Sequence, residues 1–155
     1  MSTIDVGNVS EALVLAAYTD AGFLVSVPFG NGCAYDLVVD TGSRLYKIQV
    51  KTGWRQQGCL NFKGQRRIRE SGHNGMRRYQ VGEVDFFAVY YPHDGRIYVV
   101  PFEVMGAYGR LRLLPVRNGQ RKHVRWAADF TWEKHVEELR CGERAGGKTL
   151  TGAAG

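Results

Sequence analysis

The stretch Tyr35-Asp36-Leu37-Val38-Val39-Asp40-Thr41-Gly42-Ser43-Arg44-Leu45-Tyr46-Lys47-Ile48-Gln49-Val50-Lys51 carries the reading of the fold. Two β-rich runs flank Gly42-Ser43, and glycine at the first central position of a two-residue loop is what a type II′ hairpin turn prefers. With that turn, Thr41 stands opposite Arg44, Asp40 opposite Leu45 and Asp36 opposite Gln49. Opposed residues share a face and side chains alternate along a strand. One face of the hairpin then carries Asp36, Asp40, Lys47, Gln49 and Lys51, a face for chemistry or solvent. The other carries Tyr35, Leu37, Val39, Tyr46, Ile48 and Val50, a core face.

The flanking sequence supplies the rest of a mixed fold. Asn8 to Asp20 reads as a helix that is apolar almost all round and hence buried, with Asn8 as N-cap and Gly22 as its stop. Phe23 to Val27 reads as a short strand closed by Pro28 and by Gly30-Asn31-Gly32. Cys59 to Lys63 is a further strand, and Gly64 to Gln80, basic, polar and broken by glycine, reads as an irregular, mobile loop. Val84 to Tyr91 and Ile97 to Pro101 form a second β pair around His93-Asp94-Gly95. Leu111 to Val116 adds a strand, and Thr131 to Arg140 has helical spacing. This order predicts an α/β or α+β fold rather than a helix bundle. Residues 1–141 are expected to form one domain, with 142–155, rich in Gly, Ala and Thr, a disordered tail.

Composition limits what such a domain does. The chain has 155 residues, 44% of them apolar, and 23% charged, which excludes a disordered or collagen-like chain. No apolar run approaches the roughly 18 residues of a membrane span, so no membrane partner is expected. Cys33, Cys59 and Cys141 lie far apart with no C-x-x-C pair, and MSTIDVGN lacks the pattern of a signal peptide, which predicts a reduced, cytoplasmic protein. His73, His93, His123 and His135 make no zinc-binding spacing. Any metal would be held by oxygens.

The charge is a patch. The net charge is +6, and Thr41 to Gly82 holds ten of the 21 basic residues and, in Glu70, one of the 15 acids. Such clustering points to a polyanion. Within a basic insertion at about 54–80, Lys63, Arg66, Arg67, Arg69, Arg77 and Arg78 are candidates for phosphate contacts, with Gln56, Gln57, Gln65 and Asn74 able to reach base edges. Six such contacts would give log K against log salt a slope near about −5. Gly142 to Thr149 matches the phosphate-binding pattern G-x-x-x-x-G-K-[ST], but a helix precedes it and six residues follow, where a strand before and a helix after are required.

Glu11, Asp36, Gln49 and Lys51 are the chemical constellation. Asp36 and Gln49, opposed on one face, offer a carboxylate and an amide oxygen to a hard cation, with Lys51 two residues further along that face. An ammonium there neutralises charge developing on a phosphate or orients a water. Two plainer readings compete: Glu11 lies three residues after Asn8, the offset of a capping-box glutamate, and Asp36, Gln49 and Lys51 fit an ordinary solvated strand face.

Glu11, the run Ala34 to Asp40 and the run Ile48-Gln49-Val50-Lys51-Thr52 resemble the PD-(D/E)-x-K nuclease superfamily, in particular its small group related to group I intron homing endonucleases. Further likeness runs through Pro28-Phe29-Gly30, Gly82 to Tyr90 and Ile97 to Pro101, covering roughly residues 7 to 135. The resemblance implies a restriction-endonuclease-like αβββαβ core with a mixed central sheet. It also implies Mg²⁺, with Mn²⁺ as substitute, bound by Asp36 and Gln49 with Glu11 and the Val50 carbonyl assisting, and a catalytic Lys51. Two positions depart from the pattern. Tyr35 stands where proline is usual, a geometric rather than a ligating position. Gln49 replaces an acid, which removes one negative charge and lowers metal affinity.

The expected function is a Mg²⁺-dependent, site-specific endonuclease of homing type acting on double-stranded DNA. One domain carries one site and a double-strand cut needs two, so a homo-oligomer, dimer or tetramer, is expected. A Holliday-junction resolvase or other structure-specific nuclease would share this site, and a DNA-binding module inactivated through Gln49 would share the charge. A basic patch that serves an acidic protein partner instead would give this chain no affinity for DNA.

Overall fold

The computed structural model describes residues 2–30, 32–70, 72–105, 108–115 and 123–146, and their side chains except at 69, 70, 73 and 143–146. Helix α1 spans Thr3–Asp20. It starts earlier than expected because Ser2 and Asp5 form the capping box: the Asp5 amide donates to Ser2 Oγ at 3.2 Å and the Ser2 amide donates to Asp5 Oδ2 at 2.8 Å. Asn8 therefore lies inside the helix, and Glu11 has no capping role. The stop is as read, with Gly22 at φ 89°. The expectation of a helix buried all round is overturned. Ser10, Val14 and Tyr18, one stripe at i, i+4, i+8, are buried, whereas Ile4, Val9 and Leu13 are exposed, because α1 meets the sheet along one line only.

Strand β1 (Leu24–Ser26) pairs antiparallel with β2 (Leu37–Asp40), and β2 with β3 (Leu45–Thr52). The β2–β3 register is the one the turn demands, Asp40 opposite Leu45 and Leu37 opposite Ile48. Gly42 has φ 84° and the Thr41 amide donates to the Arg44 carbonyl at 3.0 Å, closing the II′ loop. The chain then leaves the sheet through β4 (Trp54–Gln56), β5 (Cys59–Phe62), β6 (Gln65–Glu70) and β7 (His73–Arg78). It returns as β8 (Phe86–Tyr91), parallel to β3, and β9 (Arg96–Pro101) runs antiparallel to β8. The central sheet is mixed, in the order β1-β2-β3-β8-β9. Where the αβββαβ order has a helix between its third and fourth strands, this crossover is built of strands.

Gly64 to Gln80 is not an irregular loop. Residues 65–78 form an antiparallel hairpin, β6 with β7, turning at Gly72 with φ 82°. Alternation of apolar and polar residues is absent there, since arginines occupy both faces. Strand β10 (Gly109–Arg112) joins β5, which also pairs with β4, in a second, three-stranded sheet. Helix α2 (Trp132–Gly146) runs past Arg140, so the first residues read as a disordered tail continue a helix. Gly142 to Gly146, the start of the G-x-x-x-x-G-K-[ST] match, lies in that helix, and the rest of the tail lies outside the described residues. Among the described residues no helix is long and apolar enough to cross a membrane.

Apolar side chains pack on both faces of the central sheet. Leu37, Val39, Ile48, Val50, Ala88 and Val99 form one core with Val14 and Tyr18 of α1 and Val136 and Leu139 of α2. On the other face Phe87, Val89 and Val100 pack with Leu60, Phe62, Leu111 and Tyr79. Tyr35 belongs to this second core, not to the Leu37 face, because regular pairing starts only at Leu37. Gly109 shows how tight the second core is. A Cβ there would sit 2.3 Å from two ring atoms of Phe62, a side chain 1% exposed. Gly109→Ala is expected to cost about 1–3 kcal/mol by overpacking. An unchanged urea midpoint would contradict that packing.

Candidate active site

The Asp36 amide donates to the Ile48 carbonyl at 2.9 Å although Ile48 is already the partner of Leu37, so regular pairing ends there and the Asp36 carboxylate reaches Gln49 and Val50 through its own hydrogen bonds. Parallel pairing with β8 places Phe87 beside Gln49 and Val89 beside Lys51 on the same face. That face is therefore not solvated: apolar packing roofs half of it, and Gln49 is buried. Asp36 Oδ2 accepts from the Val50 amide at 2.8 Å and from Gln49 Nε2, and the same Nε2 lies 3.1 Å from the Val50 carbonyl oxygen. Burial pushes the Asp36 carboxyl above the usual range, against the pull of the Val50 N–H, Lys51 and Gln49.

Lys51 Nζ donates to Tyr79 Oη at 3.0 Å, with Gln65 O at 3.4 Å, and lies 5.2 Å from the centre of the Tyr79 ring. Burial pulls its pKa down, Asp36 raises it, and Lys63 and Arg66 lower it further. Glu11 joins from α1. The neighbouring Ser10 Oγ is 2.6 Å from Thr52 Oγ1, which pins the helix to the end of β3. Burial and the Asp36 carboxylate raise the Glu11 pKa while Lys51 lowers it, so the three charges interact.

Asp36, Gln49 and Lys51 share a cleft of about 780 Å³, which Glu11 does not line. Asp36, Gln49, Lys51 and Tyr79 line it together with Gly32 and Cys33 on the loop before β2. The β6–β7 hairpin contributes Gln65, Arg66, Arg67, Ile68 and Arg77. Of the candidate phosphate-binding residues, Arg66, Arg67 and Arg77 thus line the cleft and Lys63 is felt at Lys51. Arg78 is exposed on β7 and does not line the cleft, and the Arg69 side chain lies outside the described residues.

Asp36 Oδ2 and the Val50 carbonyl both meet one atom, Gln49 Nε2, so two hard oxygens converge on a point held by an amide NH₂. Half a turn of that amide puts Oε1 there instead, and the three oxygens then fit a divalent cation. Among the described residues no group of three or more His, Cys, Asp or Glu side chains gathers for a metal. The donors on offer are instead the carboxylates of Asp36 and Glu11, one amide and one backbone carbonyl.

Two residues of this region were not read from the sequence. Tyr79 reaches Lys51 because β7 returns along β6, a pairing whose cue was the glycine turn at Gly72 within an arginine-rich run. Glu83 accepts from Arg66 Nη1 at 3.0 Å and from Arg77 Nη1 and Nη2 at 2.8 and 2.5 Å. Asp85, within the Gly82 to Tyr90 stretch of the likeness, accepts from the Lys47 amide at 2.8 Å and from Arg44 Nη2 at 3.4 Å.

A helix laid on a mixed sheet, with an acid, an amide and a lysine meeting in an arginine-walled cleft, defines a nuclease of restriction-endonuclease-like architecture. The chain belongs to the PD-(D/E)XK endonuclease family, whose model matches residues 1–133. Protein 5.3 of Escherichia phage T7 is 34% identical over 92 residues, 59% of this chain and 75% of that protein. The fold is similar to that of a bacterial homing endonuclease, I-Ssp6803I, with a TM-score of 0.72 and 23% identity over 97% of this chain and 100% of that one.

Proposed function

We propose that the protein is a Mg²⁺-dependent endonuclease that cuts double-stranded DNA at a specific site. The observation that carries this reading is the meeting of Asp36, Gln49, the Val50 carbonyl and Lys51 in a cleft lined by Arg66, Arg67 and Arg77. When bound, the cation supplies Lewis acidity and a water of lowered pKa. Asp36, Gln49, Val50 and Glu11 would hold it, with Mn²⁺ as a substitute. Lys51, kept beside Asp36 by Tyr79, stabilises negative charge developing on the scissile phosphate. The arginines along the cleft bind the flanking backbone. One site per chain calls for a homo-oligomer to cut both strands. Cys33 and Cys59 are unbridged thiols, as suits work in the reducing cytoplasm.

The test is a pooled cleavage assay with Mg²⁺ on genomic fragments, supercoiled plasmid and a four-way junction, using wild type, Asp36→Ala and Lys51→Ala, with ends read by sequencing. Discrete ends on linear duplex that vanish in both variants are expected. Cutting that persists in the variants would remove the catalytic assignment, and cutting confined to the junction would make the enzyme a resolvase.

One observation favours a second reading. The Gln49 amide NH₂ already satisfies Asp36 Oδ2 and the Val50 carbonyl, the oxygens that would hold the cation, which suits a DNA-binding module without activity. The two readings part at Gln49→Glu, which sets a second carboxylate beside Asp36. In the enzyme this variant is expected to lower the Mg²⁺ concentration for half-maximal cleavage by about tenfold. An unchanged Mg²⁺ titration would show that residue 49 is no ligand.

A further inference from the structure

Arg66 and Arg77 stand directly opposite each other across the β6–β7 hairpin. Like charges at opposed positions repel, so the pairing needs an anion. Glu83 supplies one charge. It receives Arg66 through one nitrogen and Arg77 through two, its Oε2 accepts the Gln80 amide at 2.8 Å, and its pKa is driven down to about 2, chiefly by the hydrogen bonds from Arg77. Arg66 Nη2 also donates to the Gly32 carbonyl at 2.9 Å, tying the hairpin to the loop that leads into Asp36.

The arrangement has a front and a back. Both arginines line the cleft that holds Asp36 and Lys51, whereas Glu83 does not. Two guanidinium groups held side by side on the cleft wall present N–H donors of the kind that phosphate oxygens accept. Fixing two guanidinium groups in advance also reduces the side-chain entropy lost on binding.

We propose that Arg66 and Arg77 form one seat for a backbone phosphodiester at the rim of the cleft and that Glu83, behind them, is its positioning residue. The proposal rests on the reading of the cleft as a DNA site. The seat holds a phosphate flanking the scissile one and keeps the hairpin in register with the Gly32 loop.

The sign of one measurement separates this role from simple charge. Removing an acid from a DNA-binding surface tightens binding through long-range electrostatics alone. If Glu83 positions the seat, Glu83→Gln instead weakens binding of a labelled duplex, measured without divalent metal, by about five- to tenfold. It also makes the salt slope shallower by about 1, one phosphate contact fewer. Glu103→Gln, an exposed acid on the short turn after β9, controls for the same change of net charge and is expected not to weaken binding. In an Arg66→Gln/Arg77→Gln background the loss caused by Glu83→Gln is expected to vanish, since a residue acting through the arginines has no effect without them. Amide exchange in residues 65–78 that stays slow in Glu83→Gln would show that the hairpin itself is intact. Tighter or unchanged binding in Glu83→Gln, or a loss that persists without the arginines, overturns the proposal. If wild type binds no duplex, the DNA reading itself fails, an outcome distinct from a wild type that binds and a variant that binds equally well.

Discussion

Asp36→Asn is expected to reduce single-turnover DNA cleavage by about 10³-fold or more while leaving the protein as stable as wild type or more so. The two effects have one cause. Asp36 is held in a largely buried place where its carboxyl is pushed above the usual range, so its ionised form is disfavoured by the fold. A raised folded-state pKa contributes stability that is full below the unfolded pKa and is lost as pH rises through the folded one. At neutral pH the fold carries the cost of that charge, and the proposed chemistry gives it a use, as an anionic oxygen for the cation. Asparagine offers the Val50 amide an oxygen of the same shape without the charge. Cleavage kinetics and urea denaturation of the same preparation test both halves. A variant that still cuts at more than about a tenth of the wild-type rate would remove Asp36 from the chemistry. One that is inactive because it no longer folds would contradict the account of burial.

The second large effect lies far from the cleft. His135 on α2 is 4% exposed, its Nε2 lies 2.8 Å from Tyr18 Oη, and its ring packs among Tyr18, Phe86 and Trp132. Burial drives its pKa down from 6.5 to about 4. Between those values the unfolded chain binds a proton that the folded chain refuses. Stability is therefore complete above about pH 6.5 and falls as pH approaches 4, by about 3 kcal/mol at 1.36 kcal/mol per pKa unit. Asp36 and Glu11, whose pKa values are raised, work in the opposite direction as pH falls. The measurement is consequently a comparison: urea unfolding at pH 7, 5 and 4 for wild type and His135→Gln. The variant is expected to start less stable, having lost the Tyr18 contact, and to lose clearly less on acidification. Parallel curves for the two proteins would show that His135 titrates normally.

How much of this was legible depended on how local the information is. Gly42-Ser43 set the β2–β3 register because a two-residue turn leaves one choice, and that register runs from Asp40 opposite Leu45 to Leu37 opposite Ile48, bringing Asp36 to the part of β3 where Gln49 and Lys51 share a face. Lys51 and Tyr79 meet through a hairpin whose strands carry one larger apolar residue each, Ile68 and Met76, so its arginines hid the alternation. The start of α1 was misplaced because Asn8 is as good a capping residue as Ser2. Only the reciprocal bonds with Asp5 select Ser2. Tyr35 left its expected face because strand periodicity applies only where the chain is paired. The parallel partnership of β3 with β8, which roofs the site with Phe87 and Val89, leaves no local signature, since its members are far apart in sequence.

That partnership has a consequence for how this molecule can diversify. The chain leaves β3 at Gly53, whose amide bonds to the Tyr90 carbonyl at 2.8 Å, and comes back at Asp85, whose amide bonds to the Lys47 carbonyl at 2.8 Å. Both ends of the excursion are thus riveted to the same pair of neighbouring strands. The arginine hairpin it contains can be lengthened, shortened or rewritten at small entropic cost, because the loop's closure is already secured by β3 and β8. Asp36 and Gln49 stand on the frame and the cleft arginines on the exchangeable part. On the proposed function, a change of target and preservation of the cut are consequently separable events in the history of such a chain.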